Sequence, residues 1–141
     1  MPDPVPLRVF LDSNVVFSAS RDERSRFLKL WSLRSVRLVV SPYGIGEVIR
    51  NVRSPEHSAR LSSLLVPMEI VSDSDVRLIP PHIVLVAKDQ QILAAAIGAS
   101  ADYLITGDKA HFGHLYGTRL SGVFVITPAD FLALYEDRLP Q

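Results

Sequence analysis

Two acidic residues follow apolar, strand-like segments at the point where each segment ends. Asp12 comes directly after residues 7–11, and Asp108 follows residues 103–106 after a single glycine, Gly107, which permits a tight turn. Because the carboxyl ends of parallel strands meet at the edge of an open sheet where sites form, we expect these two carboxylates to lie close together. An isolated aspartate is usually a cap or a surface charge, and the occurrence of two at strand ends favours a functional site.

Glu47 and Asp89 are candidates for the same site, since each lies on, or at the start of, a helix that follows a loop. Clustered carboxylates repel one another, and without a counter-charge one or more of them would take up a proton. A hard divalent cation removes that repulsion, and Mg²⁺ or Mn²⁺ suits a site made of oxygen ligands. Cations held in this way activate water and stabilise charge on a phosphate, so the four acids favour phosphodiester chemistry over acyl chemistry.

The elements that must position these acids alternate along the chain. A Ser or Thr followed by Pro, which is a helix-start signal, occurs at Ser41-Pro42, Ser54-Pro55 and Thr127-Pro128. We predict strands at residues 7–11, 36–40, 68–71, 103–106 and 123–126. We predict helices at 25–34, from 42 through 47, at 55–65, at 89–99 and from 128 onward, while 82–87 is ambiguous between strand and buried loop. This alternation predicts the α/β class, with a three-layer sandwich around a central, mainly parallel sheet.

Length and composition restrict the class of protein further. The 141 residues fit one domain, 1–141, and the hydrophobic fraction of 48% is enough for a full core. The apolar runs are far shorter than the ~20 residues that cross a bilayer, and Met1-Pro2-Asp3-Pro4 does not resemble a signal peptide, so we expect no membrane partner. The absence of cysteine excludes disulfides and thiolate zinc sites and fits a cytoplasmic protein.

Charge is unevenly distributed although the formal net charge is zero. Residues 21–60 contain nine Lys or Arg and four Asp or Glu, a net of +5, so the remainder carries −5. This asymmetry is consistent with a surface that faces a polyanion, and also with ordinary solvated helix faces. Arg50 and Arg53 are the best candidates for contacts to phosphate, because on a helix continuing past Glu47 Arg50 would share its face and Arg53 would follow about one turn later.

Four segments, in order, resemble the motifs of PIN-domain nucleases. They are Val9-Phe10-Leu11-Asp12-Ser13-Asn14-Val15, Leu38-Val39-Val40-Ser41-Pro42 leading to Glu47, Asp89-Gln90-Gln91-Ile92-Leu93-Ala94-Ala95-Ala96, and Ala101-Asp102-Tyr103-Leu104-Ile105-Thr106-Gly107-Asp108. The last is similar to a segment of the VapC-like branch, the toxins of toxin–antitoxin pairs, and Ile126-Thr127-Pro128-Ala129-Asp130-Phe131 is similar to the ending of that branch. The resemblance covers residues 7–134.

The resemblance implies a PIN-like fold and a ribonuclease that cuts RNA with Mg²⁺ or Mn²⁺. By position, Asp12, Glu47, Asp89 and Asp108 match the family's catalytic, metal-binding acids. Asn14 and Thr106 match the polar companions that support those acids. The resemblance further implies a cognate antitoxin as a protein partner, and it leaves a homodimer open.

Some residues depart from the family's pattern and keep other functions open. Lys88 stands where relatives often have acids, and it could weaken the binding of a second metal. Gly44 and Gly46 disfavour a rigid helix around Glu47. The first alternative is therefore a PIN-fold RNA-binding or partner-binding module with little activity. The second alternative is a phosphotransfer enzyme or receiver domain that uses Asp12 as nucleophile or phosphoacceptor. It is disfavoured because haloacid-dehalogenase phosphatases usually have a second Asp two residues after the first, where this chain has Asn14.

Other conspicuous residues have simpler interpretations. Asp102 precedes its strand and so belongs at the opposite edge of the sheet, where we expect a structural role. His111 and His114 have His-x-x-His spacing, but no third nitrogen or sulfur ligand is nearby, so we expect surface or phosphate contacts in preference to zinc binding. Trp31, at helical spacing from Phe27, is expected to belong to the core.

Overall fold

A computed structural model describes residues 5–140 of the chain, and residues 1–4, in which the sequence predicts no signal peptide, lie outside it together with Gln141. The strands are β1 (Leu7–Leu11), β2 (Val36–Val40), β3 (Glu69–Ile70), β4 (Tyr103–Ile105), β5 (Arg119–Leu120) and β6 (Val123–Ile126). The α-helices are α1 (Ser13–Arg21), α2 (Pro42–Asn51), α3 (Pro55–Leu65), α4 (Ala87–Gly98), α5 (Lys109–Phe112) and α6 (Pro128–Leu134). Short 3₁₀ helices occupy Arg26–Ser32, Val76–Leu78, Gly113–Leu115 and Glu136–Arg138.

The six strands form one sheet in the order β3-β2-β1-β4-β6-β5. All neighbouring strands are parallel except β5 and β6, which are antiparallel. The chain runs outward from β1 to β3 and then returns to place β4 on the other side of β1, so the strand order changes direction between β1 and β4. Ligand sites in open parallel sheets form at such a switch point, beside the carboxyl ends of the strands.

Both faces of the sheet are covered, because successive side chains of a strand point to opposite sides. Val9 and Leu11 of β1 belong to a core cluster with residues of α1, α2, α3 and α6, while Phe10 belongs to a second cluster with residues of α4 and α5. All three side chains are fully buried. The predicted α/β class, with three layers around a mainly parallel sheet, is confirmed.

Some element boundaries differ from the predictions. Residues 25–34 form a 3₁₀ helix at Arg26–Ser32 in place of an α-helix, and the strand predicted at 68–71 is only Glu69–Ile70. The ambiguous segment 82–87 is mostly an exposed loop that leads into α4. α2 is continuous through its two glycines, and Ser41 caps it by accepting a hydrogen bond from the Gly44 amide at 3.3 Å.

Besides the short helix α5 and the 3₁₀ helices after residue 75, two elements were not predicted. The first, α1, begins directly after β1, where Asp12 caps it. The second is β5, which pairs with β6 through a two-residue turn at Ser121 and Gly122, both with positive φ (49° and 89°). Positive φ at both central residues is typical of a type I′ hairpin, and glycine accepts it without a steric penalty.

Among residues 5–140, no helix is long and apolar enough to span a bilayer. Trp31 is partly buried against the core, as expected, and its indole Nε1 donates a hydrogen bond to the carbonyl of Leu64 at 3.0 Å. Asp102 lies at the start of β4, where its Oδ2 accepts a hydrogen bond from the Arg8 amide at 2.9 Å. The expectation of a structural role for Asp102, away from the carboxyl edge, therefore agrees with its position.

Candidate active site at the carboxyl edge of the sheet

Asp12 lies at the centre of the carboxyl edge, immediately after β1. Its Oδ1 accepts a hydrogen bond from the Ser13 amide at 2.7 Å and so caps α1, while its Oδ2 accepts one from Thr106 Oγ1 at 2.8 Å. The residue is only 3% exposed. The pKa of Asp12 is raised from 3.8 to about 6, because burial, together with the negative charges of Asp89 and Glu47, outweighs the two hydrogen bonds that lower it.

Asn14 and Thr106 join the ends of β1 and β4. Thr106 donates to Asp12 and accepts a hydrogen bond from the Asp108 amide at 3.1 Å. The amide group of Asn14 reaches both strand ends as well: Nδ2 lies 3.5 Å from Asp12 Oδ2, and Oδ1 accepts a hydrogen bond from the Gly107 amide at 3.1 Å. These contacts fix the positions of the two strand-end aspartates relative to each other.

Asp89, Asp108 and His111 form a compact group beside Asp12. Asp89 lies in the first turn of α4, and Asp108 caps α5 by accepting a hydrogen bond from the His111 amide at 3.1 Å. The imidazole Nδ1 of His111 lies 2.8 Å from Asp89 Oδ2 and 2.9 Å from Asp108 Oδ2. Burial raises the pKa of Asp89; the His111 and Lys88 charges lower it, and the Asp108 charge raises it.

Glu47 approaches the site from α2. Its Oε1 accepts a hydrogen bond from Ser13 Oγ at 3.1 Å, and its charge raises the pKa of both Asp12 and Asp89. Glu47 also lines a cleft of about 260 Å³ between α1, α2 and α4, whose other lining residues include the exposed Lys88. All four predicted acids therefore share one edge of the sheet and one electrostatic environment.

The donor set fits a divalent cation. Four carboxylates in one partly buried place repel one another; burial, with a smaller contribution from that repulsion, raises the pKa values of Asp12 and Asp89. In addition, the buried Oδ2 of Asp89 has no hydrogen-bond partner. Buried carboxylate oxygens normally have partners, and a cation is one that would satisfy this atom.

A comparison with known protein families identifies the family of this chain. The family model described as "PIN domain" matches residues 8–110, which contain all four acids. The chain belongs to the PIN-domain family. PIN domains are in general nucleases that use divalent metals, and the acidic group found here is compatible with that.

Among solved structures, this PIN domain is similar to a chain in the crystal structure of VapBC2 from Rickettsia felis bound to a DNA fragment from their promoter. The match has a TM-score of 0.62 and covers 86% of this chain and 98% of that one. At 16% sequence identity the likeness concerns the fold. No curated protein matches the chain.

Only one of the two predicted RNA-binding arginines lies on the helix where the sequence implied it. α2 ends at Asn51, so only Arg50 lies on the helix of Glu47. Arg53 follows after the helix has ended, and its Nη1 donates a hydrogen bond to the Arg50 carbonyl at 2.9 Å. Both side chains are exposed, but the assumption of a continuing helix was wrong, since the chain becomes extended at Val52.

His111 is the residue of this site that the sequence interpretation missed. Its spacing from His114 suggested a histidine pair, but His114 turns away and its Nε2 contacts the Val84 carbonyl at 3.0 Å. The informative spacing is the one from Asp108, three residues earlier, which places both side chains on the same side of one helical turn. The contact with Asp89 comes from another helix and has no local signal in the sequence.

Proposed function

We propose that this PIN domain is a metal-dependent endoribonuclease that hydrolyses RNA phosphodiester bonds. The observation that carries the proposal is the convergence of Asp12, Asp89, Asp108 and Glu47 at the sheet's switch point, with Asp12 and Asp89 buried. Burying like charges together destabilises a protein unless a cation or a proton compensates them, and such arrangements are typical of functional sites. Membership of the PIN-domain family supports a nuclease in preference to other phosphate chemistry.

The four acids would hold Mg²⁺ or Mn²⁺, each from a rigid position. Asp12 and Asp108 are fixed through Thr106, while Asp89 and Glu47 are held by the first turn of α4 and by α2. When bound, the cation would activate water and stabilise the charge that develops on the phosphate. The protein supplies the fixed geometry, because Asn14 and Thr106 restrain the acids so that little rearrangement is needed during the reaction.

Positive charge near the acids would offset their repulsion of an RNA backbone. Lys88 and Glu47 line the same cleft, and Arg50 is exposed on the last turn of the helix that carries Glu47. Arg53 is exposed just after that helix and belongs to the same basic stretch, 21–60. Side chains of this kind bind phosphates without reading sequence, so they would position an RNA strand across the acidic edge.

The biological role that fits best is the toxin of a toxin–antitoxin pair acting in the cytoplasm. Support comes from the motif resemblance of 101–108 and 126–131 to the VapC-like branch, and from the shared fold with a chain of the VapBC2 complex. A cognate antitoxin would then be the protein partner, and a homodimer is compatible with the same role.

Cleavage of RNA with controlled metal content tests the proposal. Wild-type protein freed of metal should leave RNA intact, and Mn²⁺ or Mg²⁺ should restore cleavage. Asp12→Asn should remain inactive with either metal while keeping its fold, because asparagine can still cap α1. Equal cleavage in chelator, or full activity of Asp12→Asn, would overturn the proposal.

A PIN-fold binding module with little activity is the second candidate. It is favoured by two observations: His111 Nδ1 lies within 2.9 Å of a carboxylate oxygen of both Asp89 and Asp108, and Lys88 lines the same cleft as Glu47. Together these side chains could neutralise the acids without a metal. Under this alternative, the protein would bind RNA or a protein partner equally well with and without Mn²⁺, and no cleavage would appear at any metal concentration.

A further inference from the structure

His111 occupies a position inside the acidic cluster that the proposed nuclease reaction does not explain. Its side chain is 37% exposed, yet the Nδ1 atom itself is buried, and it faces the carboxylates of Asp89 and Asp108. The ring is brought there by α5, whose first turn is fixed by the Asp108 cap on the His111 amide. The imidazole is therefore directed into the cluster by the local backbone.

The contacts of Nδ1 are short but are not hydrogen bonds. The separations from Asp89 Oδ2 and Asp108 Oδ2 are 2.8 Å and 2.9 Å. Neither contact has hydrogen-bond alignment, and both Nδ1 and Asp89 Oδ2 are buried without a hydrogen-bond partner. The Asp89 side chain is only 6% exposed, so water does not readily satisfy that oxygen. Two unpartnered polar atoms that face each other at this distance indicate a shared third partner.

The spacing of the three atoms suits ligands of one ion. Two ligands at right angles, each ~2.1 Å from an octahedral cation, lie ~3 Å apart, and opposite ligands lie ~4.2 Å apart. The contacts to Nδ1 match the first of these spacings, and the three ligand atoms all lie within 4.8 Å of one another. Each Asp12 oxygen accepts a hydrogen bond, from Ser13 or Thr106, and keeps a second lone pair that can face the same ion.

We propose that His111 is a metal ligand through Nδ1, together with Asp89 and Asp108, and that this nitrogen makes the site favour first-row transition ions such as Mn²⁺ over Mg²⁺. Mg²⁺ prefers oxygen ligands and loses its water shell reluctantly, whereas transition ions accept imidazole nitrogen readily. The inference rests on the proposed function only in treating the acidic cluster as a cation site, and it concerns which ion binds there and through which atoms.

Spectroscopy of bound Mn²⁺ tests the ligand directly. Electron spin-echo measurements on the metal-loaded full chain should show coupling to a coordinated imidazole nitrogen. His111→Asn should abolish that coupling, because it places an amide oxygen close to the position of Nδ1. His114→Asn is the matched control: it removes the neighbouring histidine, whose ring contacts a backbone carbonyl and not the acids, so the coupling should persist.

Calorimetric titration of the same proteins tests the selectivity. Loss of residues that only support metal ligands typically lowers affinity 10–100-fold, so loss of a direct ligand should lower Mn²⁺ affinity by about tenfold or more. His111→Asn should lose Mn²⁺ affinity while Mg²⁺ affinity changes much less, so the preference for Mn²⁺ narrows. His111→Ala should weaken both ions. Thermal unfolding in chelator would verify that each variant is folded.

Two results would overturn the proposal. One is an imidazole coupling that survives in His111→Asn; the other is absence of any nitrogen coupling in wild-type protein with Mn²⁺ bound, which would leave His111 as a charge partner of the acids. Neither readout uses RNA. Nitrogen coupling without RNA cleavage would therefore refute the nuclease proposal alone, and metal-dependent cleavage without the coupling would refute the ligand proposal alone.

Discussion

Replacement of Asp12 by Asn is predicted to change how the stability of the metal-free protein depends on pH. The folded-state pKa of Asp12 is raised from 3.8 to about 6, so between these pH values the folded protein binds more protons than the unfolded chain. The free energy of unfolding therefore falls as the pH rises through this window, and the full destabilisation is present above about pH 6. Asparagine has no such titration.

The size of the effect follows from the pKa. A rise from 3.8 to about 6 corresponds to about 3 kcal/mol of destabilisation once Asp12 is ionised, of which about 2 kcal/mol develops between pH 4 and pH 8. The substitution also replaces one of the two acceptor oxygens by an amide NH₂, so one of the hydrogen bonds from Thr106 and Ser13 is lost. That loss costs about 1 kcal/mol and does not depend on pH, so it shifts the whole curve of the variant.

Urea unfolding in chelator at several pH values, with wild type and Asp12→Asn side by side, measures this difference. Groups that do not interact with Asp12 titrate equally in both proteins, and their contributions cancel when the curves are subtracted. From pH 4 to pH 8, the free energy of unfolding of Asp12→Asn should rise by about 2 kcal/mol relative to that of wild type. If the free energies of unfolding of the two proteins keep a constant difference over this pH range, the conclusion that burial and the neighbouring acids raise the pKa of Asp12 is refuted.

The remaining predictions concern the surroundings of Asp12 and the substrate. Thr106→Val removes the hydroxyl that donates to Asp12, and cleavage at saturating RNA should fall about 10–100-fold with little change in the fold; an unchanged rate would show that this hydrogen bond does not position the acid. Mn²⁺ at a hundredfold excess over its dissociation constant should add about 2.7 kcal/mol to the free energy of unfolding of wild type and so raise its melting temperature. The melting temperature of Asp12→Asn should rise less; equal shifts would place the ion elsewhere. Replacing both Arg50 and Arg53 by Ala should weaken binding similarly for different RNA sequences and reduce the log–log salt slope by up to ~1.4 for a single strand, measured by fluorescence anisotropy; an unchanged slope would assign these arginines to an ordinary solvated surface.

The strand ends could be predicted from sequence because of how parallel sheets are built. Strands buried on both faces are apolar runs; β4 and β6 are continuous runs of this kind, and β1 and β2 each contain one arginine, at their second position. Once the strands were recognised, Asp12 and Asp108 had to lie at the same edge. The helices of Glu47 and Asp89 also carried clear signals, although α4 begins at Ala87, two residues before the predicted start.

The elements that were missed depend on tertiary structure. α1 contains β-branched and serine residues with weak helix propensity, and it forms because Asp12 caps it and because Val15, Val16 and Ala19 pack into the core. β5 is only two residues long and exists through its pairing with β6. The position of His111 also depends on tertiary structure, since its contact with Asp89 joins α5 to α4 across the sheet edge.

A comparison of two isosteric variants tests the central claim most directly. Asp89 and Asp102 are both aspartates near β4 in the sequence, but Asp89 lies in the acidic cluster and Asp102 accepts a hydrogen bond from the Arg8 amide at the opposite edge of the sheet. The rate of Mn²⁺-dependent RNA cleavage should be lost in Asp89→Asn and retained in Asp102→Asn, with both variants shown to be folded. Wild-type cleavage by Asp89→Asn would contradict a metal-dependent nuclease site at the carboxyl edge.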